Sequence, residues 1–165
     1  MTGPRPSLKA TEGRQVTPRL VAGRRPFRAW GMGVGGLGEG VIDVVCALIL
    51  REGRVLVCQR AGGKHLAGLW EFPGGKVDEG EGREEALVRE IREELGCEVL
   101  VGKGLEAVEH EYAEVAIRLW PFWCELGEGE PEALEHAAMR WVTPENLGGV
   151  ELAPADVKVV NGIKI

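Results

Sequence analysis

Between Lys76 and Glu98 the chain places nine carboxylates in 23 residues. Most charge runs are solvated faces. The spacing here argues for something else. Glu90 and Glu94 stand at i, i+4 and Glu90 and Glu93 at i, i+3, so on a helix all three leave adjoining positions of one side. Like charges at these spacings each destabilise a helix by roughly 0.2–0.5 kcal/mol. The same helix carries an apolar stripe, Leu87, Ile91 and Leu95, and the acids lie beside that stripe rather than opposite it. Acids crowded against a core edge make sense where a cation neutralises them. Oxygen-only donors select hard ions, Mg²⁺ first and Mn²⁺ second, and not zinc. The cysteines do not compete for that role. Cys46, Cys58, Cys97 and Cys124 are scattered, with no pair at zinc-ligand spacing, and read as free thiols of a reducing compartment. His65, His110 and His136 are equally scattered; they read as structural or exposed and make no cluster.

The elements that must position these acids follow from the pattern. The helix spans Arg83 to Leu95 and is ended by Gly96. Ahead of it an acidic loop runs from Asp78 to Gly82, and Phe72-Pro73-Gly74-Gly75 makes a sharp backbone turn towards the helix start. Turn, loop and helix together form a unit rich in carbonyl and carboxylate oxygens, suited to Mg²⁺ shared with a substrate's phosphates. Val41–Leu50 and Val55–Arg60 read as a hairpin and Trp70–Phe72 as a short strand. Further strands are expected at Cys97–Val101, Leu105–Tyr112, Val115–Leu126 and Met139–Val142. Thr143 reads as a helix cap with Pro144 at the first helical position, and Asp156–Ile163 as a last helix. Trp120, Trp123 and Trp141 are expected in the core. Strands and helices mix without regular alternation, which points to the α+β class with a mixed sheet.

The chain has 165 residues, 44% hydrophobic and 28% charged, which fits one globular domain plus a tail and excludes a wholly disordered or collagen-like protein. The longest apolar run, Val44–Leu50, is seven residues, far short of a membrane span. The net charge of −6 argues against binding a nucleic-acid polymer through its backbone. That charge is divided: residues 1–40 carry seven basic and two acidic side chains, residues 41–165 carry 13 and 24. The first segment also holds nine glycines and four prolines without an apolar period, and is expected to be a disordered extension. A start site placed too far upstream and an Arg-rich organelle transit peptide are the two readings of it. The first leaves the protein cytoplasmic, and is preferred.

From Gly75 the chain reads GKVDEGEGREEALVREIREELGC. This resembles the Nudix box, G-x5-E-x7-R-E-U-x-E-E-x-G-U with U a bulky aliphatic, at Gly75, Glu81, Arg89, Glu90, Ile91, Glu93, Glu94 and Gly96; Cys97 in the last U place is a mild departure. Seven fixed residues at ordinary usage coincide by chance with a frequency on the order of 10⁻⁹ per frame. The stretch from Gly63 to Glu81, Glu135-His136 with Arg140-Trp141-Val142, and Leu152-Ala153-Pro154-Ala155-Asp156 extend the likeness to the MutT branch of that family, over residues 41–163. The resemblance implies the Nudix fold, a mixed sheet sandwiched between helices, and hydrolysis of a nucleoside triphosphate to monophosphate and pyrophosphate.

It also implies roles. Glu90, Glu93 and Glu94 match the metal-binding glutamates, Glu90 being the preferred general base, and Gly75 matches the position that lends a carbonyl to the metal. Arg89 is expected to orient a glutamate, with an i−4 pair to Glu85 as the plainer reading. Glu135 matches a further loop acid facing the metals. Arg60 is similar to a phosphate-contacting arginine, against the reading of a surface charge at a strand end. Phe72 resembles a residue lining the base pocket. Asp156 stands where the oxidised-guanine enzymes of the branch carry Asn; it either reads the base or caps a helix starting near Val157. The implied substrate is an oxidised guanine nucleotide such as 8-oxo-dGTP, with (d)CTP or a modified cytidine nucleotide as the alternative, and a non-catalytic nucleotide- or protein-binding module as the alternative of another class. The oligomeric state is left open.

Overall fold

A computed structural model of the chain describes residues 40–163. The extension expected over residues 1–40 lies, apart from Gly40, outside them. The strands are β1 (Ile42–Arg51), β2 (Arg54–Gln59), β3 (Trp70–Glu71), β4 (Gly74–Lys76), β5 (Val99–Gly104), β6 (Val108–Glu111), β7 (Ala116–Leu126) and β8 (Ala138–Val142). The helices are α1 (Arg83–Leu95), a 3₁₀ turn (Pro144–Gly149) and α2 (Pro154–Gly162). The sheet runs β3-β2-β1-β7-β5, with β4 on β1, β6 on β7 and β8 on β2. It is mixed: β1 and β7 are parallel from Ile42 opposite Ile117 to Leu50 opposite Glu125, and the other strand pairs are antiparallel.

Strand periodicity divides the core in two. Val45, Ala47 and Ile49 of β1 point to one face with Leu56 and Cys58 of β2 and Phe122 and Cys124 of β7, where they meet Ala86, Leu87, Ile91 and Leu95 of α1. Cys46 and Leu48 point to the other face with Val55, Val57, Ile117 and Leu119, and meet Leu147, Ala155 and Val159. Alternate side chains leave a strand on opposite sides. The near-continuous apolar run of β1 is therefore a strand covered on both faces, and the expected sheet between helices is found. The three tryptophans pack partly buried against these two clusters. The four cysteines are free and buried.

Two elements differ from expectation. The Gly-rich turn after Phe72 continues as β4, pairing Gly74 with Cys46 and Gly75 with Val45. Glycine masks a strand in the sequence, yet here it is required: a Cβ on Gly74 would lie 2.1 Å from the Val45 carbonyl oxygen. The last helix begins at Pro154, with Ala153 as the extended residue before it, so Asp156 lies inside the first turn and is not its cap.

Candidate active site

The acidic loop and α1 are locked together by one arginine. Arg89 holds Glu81 in a two-pronged bond, Nε to Oε1 at 2.8 Å and Nη2 to Oε2 at 2.9 Å. It also donates to the Lys76 carbonyl at 3.0 Å and to Glu90 Oε1 at 2.7 Å. Glu81 in turn accepts the Asp78 N–H, so the loop cannot swing away from the helix. The hydrogen bond from Arg89 leads the causes that lower the Glu81 pKa, and that from Glu81 leads those that raise the Arg89 pKa. The i−4 pairing of Arg89 with Glu85 does not form; Glu85 turns back to accept the Gly82 N–H at the helix start.

β4 passes directly under this helix. The Glu90 carboxylate rests on Gly75, where a Cβ would come within 2.4 Å of its carboxyl carbon. Glu94 accepts the Gly74 N–H at 3.0 Å. Burial, then the charges of Glu71, Glu90 and Glu135, push the Glu94 carboxyl well above the usual range, against the Gly74 bond. Burial also raises Glu90, opposed by Arg89 and reinforced by Glu93 and Glu135. Glu93 is on the open flank, 58% exposed, 3.9 Å from Arg89. The helix thus presents two acids turned inward, Glu94 and Glu90 with side chains 12% and 17% exposed, and one exposed acid, Glu93.

A second tier of residues closes the cluster from β2, β3 and the loop before β8. Arg60 donates to the Glu71 carboxylate and, through Nε, to the His65 carbonyl at 2.7 Å. Its side chain is only 11% exposed, so it is no surface charge at a strand end. His136 Nε2 lies 3.2 Å from Glu71 Oε1 and 4.0 Å from Glu94 Oε2. Glu135 is 3.6 Å from Lys64 Nζ and adds its negative charge to both Glu90 and Glu94. On the opposite face of the sheet Phe72 is buried in the core and donates its N–H to Asp156 Oδ1 at 2.9 Å. Asp156 is 6% exposed, and burial together with the Glu71 charge pushes its carboxyl up to about 8, against the Phe72 N–H and Arg60.

Sequence reasoning passed over Glu71, a lone acid in a short strand, although it touches Arg60 and His136 and biases Glu94 and Asp156. It also passed over His136 as a partner of the acids. His65 and His110, expected to stand apart, both set ring edges against Tyr112, at 5.3 and 4.4 Å. Apart from His110–Tyr112, two residues apart in the chain, these pairings have no local spacing signal, since each joins segments that the fold brings together.

The donor set is oxygen throughout, and the bare Gly75 backbone lets the Glu90 carboxylate pack directly against it, which any side chain there would prevent. Deep burial of like charges around Glu94 leaves a net negative site. Both features fit a hard divalent cation. Among the described residues no three acidic, histidine or cysteine side chains already converge as a ligand set. Glu90 is turned to Arg89 and Glu93 to the flank.

A family model described as a NUDIX domain matches residues 44–162. The CTP pyrophosphohydrolase of Escherichia coli is 42% identical over 120 residues, covering 73% of this chain and 89% of that protein. The 8-oxo-dGTP diphosphatase of Escherichia coli is 32% identical over 124 residues, covering 74% and 96%. Among solved structures, the E. coli ORF135 protein superposes with a TM-score of 0.67 at 40% identity, covering 78% of this chain and 92% of that one. A MutT NUDIX hydrolase from Burkholderia pseudomallei gives a TM-score of 0.67 at 31% identity, covering 76% and 100%.

Proposed function

The chain belongs to the Nudix family, and from that premise we propose that it is an Mg²⁺-dependent pyrophosphohydrolase of nucleoside triphosphates, releasing a monophosphate and pyrophosphate. The observation that carries this reading is the pairing of Arg89 with Glu81 and Glu90 above the Gly74–Gly75 backbone, which holds two acids of one helix against β4. A non-catalytic module has no use for buried like charges kept in that register.

Gly75 through its carbonyl, with Glu90, Glu93, Glu94 and Glu135, would hold the Mg²⁺, and Mn²⁺ would substitute. Bound there, the cation neutralises phosphate oxygens and acidifies a water. Glu90 is the general base: its raised pKa suits proton uptake, and Arg89 fixes the direction of its carboxylate. Glu94 is engaged with the Gly74 N–H, and Glu93 is too open, for the same task. Arg60, bonded to Glu71 on one side, offers its remaining N–H groups to phosphate.

The base is read by Asp156 with Phe72. The first substrate class is the oxidised guanine nucleotides, 8-oxo-dGTP above all, in keeping with the named activity of the E. coli diphosphatase. Cytidine nucleotides are the second class: an ionised Asp156 only accepts, which suits the exocyclic amine of cytosine, whereas the protonated form kept to about pH 8 also donates, which suits a carbonyl such as guanine O6. The test is a nucleotide screen with Mg²⁺, including 8-oxo-dGTP, dGTP, dCTP and 5-methyl-dCTP, scored as kcat/KM with pyrophosphate identified as product. Absence of pyrophosphate from every substrate would remove the proposal.

A further inference from the structure

The His136 ring is the least explained group near the acids. Its side chain is 2% exposed. Nε2 sits between two carboxylates, 3.2 Å from Glu71 and 4.0 Å from Glu94, while Nδ1 is buried with no hydrogen-bond partner among the described residues. Carboxylates at these distances call for a donor, so Nε2 carries the proton and Nδ1 is a bare lone pair. A ring that leaves one nitrogen orphaned in the interior is retained for the bond its other nitrogen makes.

That bond fixes a loop. The segment leading to β8 is tied to the end of α1 by Glu132 N–H to the Leu95 carbonyl at 2.9 Å and Leu134 N–H to the Glu94 carbonyl at 3.0 Å. It is tied to β2 by Ala137 N–H to the Gln59 carbonyl at 2.9 Å. Backbone bonds therefore hold both sides of Glu135, but none of these sets the rotation of the stretch between them. The His136 ring does so: it reaches through to Glu71, whose other oxygen is held by Arg60. Glu135 and His136 are neighbours in the bend over residues 134–137, so pinning the His136 ring to Glu71 limits the backbone rotation that carries Glu135, whose charge acts on Glu90 and Glu94.

We propose that His136 is a positioning residue for the pyrophosphohydrolase site: by bonding Glu71 through Nε2 it orients the loop so that Glu135 faces Glu90 and Glu94 and completes the cation site. This rests on the metal-dependent reading above. His136 acts through Glu71, which it bonds, and through Glu135 beside it in the chain.

The experiment measures Mn²⁺ binding by electron paramagnetic resonance, without nucleotide, on full-length wild type, His136→Gln, His136→Phe, His136→Ala, Glu135→Gln and the double variant His136→Phe/Glu135→Gln. Circular dichroism and Tm run in parallel. Supporting residues around a metal site change affinity by roughly 10–100-fold. Phe and Ala should weaken Mn²⁺ binding about tenfold or more. Gln, whose amide N–H reaches Glu71, should stay within about threefold of wild type. In the Glu135→Gln background the Phe effect should disappear, because the residue through which it acts is gone. Phe is close in size to the ring, and Ala serves if Phe is not accommodated. Wild-type affinity in the Phe and Ala variants, failure of Gln to rescue, or simple multiplication of the Phe and Glu135→Gln effects would each overturn the positioning role. A failure of the metal reading looks different: wild type itself would bind no Mn²⁺, or Glu94→Gln would bind it as wild type does.

Discussion

The two faces of the sheet handle buried negative charge in different ways. On the α1 face, Glu90 and Glu94 are crowded with Glu71 and Glu135; Arg89 and the Gly74 N–H compensate Glu90 and Glu94, while Arg60 and His136 hold Glu71 and Lys64 lies by Glu135. On the α2 face, Asp156 accepts the Phe72 N–H and its own backbone N–H, and burial with the Glu71 charge still keeps its proton on to about pH 8. Glu90 and Glu94, with one donor each and two further acids close by, make an electrostatic site for a cation. Asp156, a buried acid that can hold or release a proton, makes a hydrogen-bonding site for a base edge. The same residue type thus does two jobs because burial and neighbours differ.

The comparison breaks most sharply at α1. Glu90→Gln, Glu93→Gln and Glu94→Gln should each lower kcat by at least about 10²-fold. Their stabilities should diverge. Glu94→Gln keeps an oxygen for the Gly74 N–H and removes a buried charge, so its metal-free Tm at pH 7.5 should rise. Glu93→Gln, on the open flank, should leave Tm unchanged. Near-normal turnover in all three would end the catalytic reading of the helix.

That ranking of the three acids could not have been drawn from spacing, and the reason is general. Helical periodicity gave α1 the same ends in sequence and in structure, and it placed the acids beside Leu87, Ile91 and Leu95. The apolar, β-branched run of β1 was legible as a buried strand for the same cause: both patterns are local. Depth is not local. Glu94 is deep because β4 runs beneath it, and β4 was hidden because Gly74 and Gly75 read as a turn. The Glu71–His136 and His65–Tyr112 contacts join segments that only the fold brings together. Asp156 was misplaced as a cap by a few residues, because Pro154 starts the helix one turn earlier than the polar residue suggested.

Next in size is Arg89. Arg89→Lys keeps the charge but loses the two-pronged bond to Glu81 and the simultaneous bonds to Glu90 and Lys76. It should lower kcat by about tenfold or more and stability by roughly 1–3 kcal/mol, read by denaturant titration. If Arg89 only paired with Glu85, as its i−4 spacing allows, the loss would fall in the range of an exposed helical pair, about 0.3–0.5 kcal/mol.

On the other face, Asp156→Asn sharpens the contrast. Asn still accepts the Phe72 N–H. In the fold Asp156 releases its proton only near 8, against a reference value of 3.8. Its contribution to stability is therefore complete below about pH 4 and lost as pH rises towards 8. Asn has no proton to lose, so the Tm gap between Asn and Asp should be small at pH 5 and widen in favour of Asn by roughly 5 °C or more at pH 8. If the residue also reads the base, the ratio of kcat/KM for 8-oxo-dGTP to that for dCTP should move by about tenfold. A changed Tm gap with an unchanged ratio would confine Asp156 to holding Phe72.

The smallest effect is expected at residues 1–39. Both core clusters and each residue assigned to the site fall between positions 42 and 163, and the family model begins at residue 44. The E. coli 8-oxo-dGTP diphosphatase is 96% covered by a match that takes in only 74% of this chain, so the remainder of this chain has almost no counterpart there. Charge gives an independent reason to test the segment: it carries seven basic and two acidic side chains over residues 1–40, against 13 and 24 in the rest. If that basic stretch screened the acidic site, its removal would change the concentration of Mg²⁺ needed for half-maximal rate, and the change would fade with added salt. If it only adjoins the domain, a chain starting at Gly40 should match the full chain in Tm, kcat and Mg²⁺ requirement at both 20 and 200 mM salt, differences staying within about twofold. The second outcome is the expected one, because Arg89 and the Gly74 N–H already supply the local compensation that Glu90 and Glu94 receive. A fall in Tm together with kcat would instead make the segment part of the folded unit.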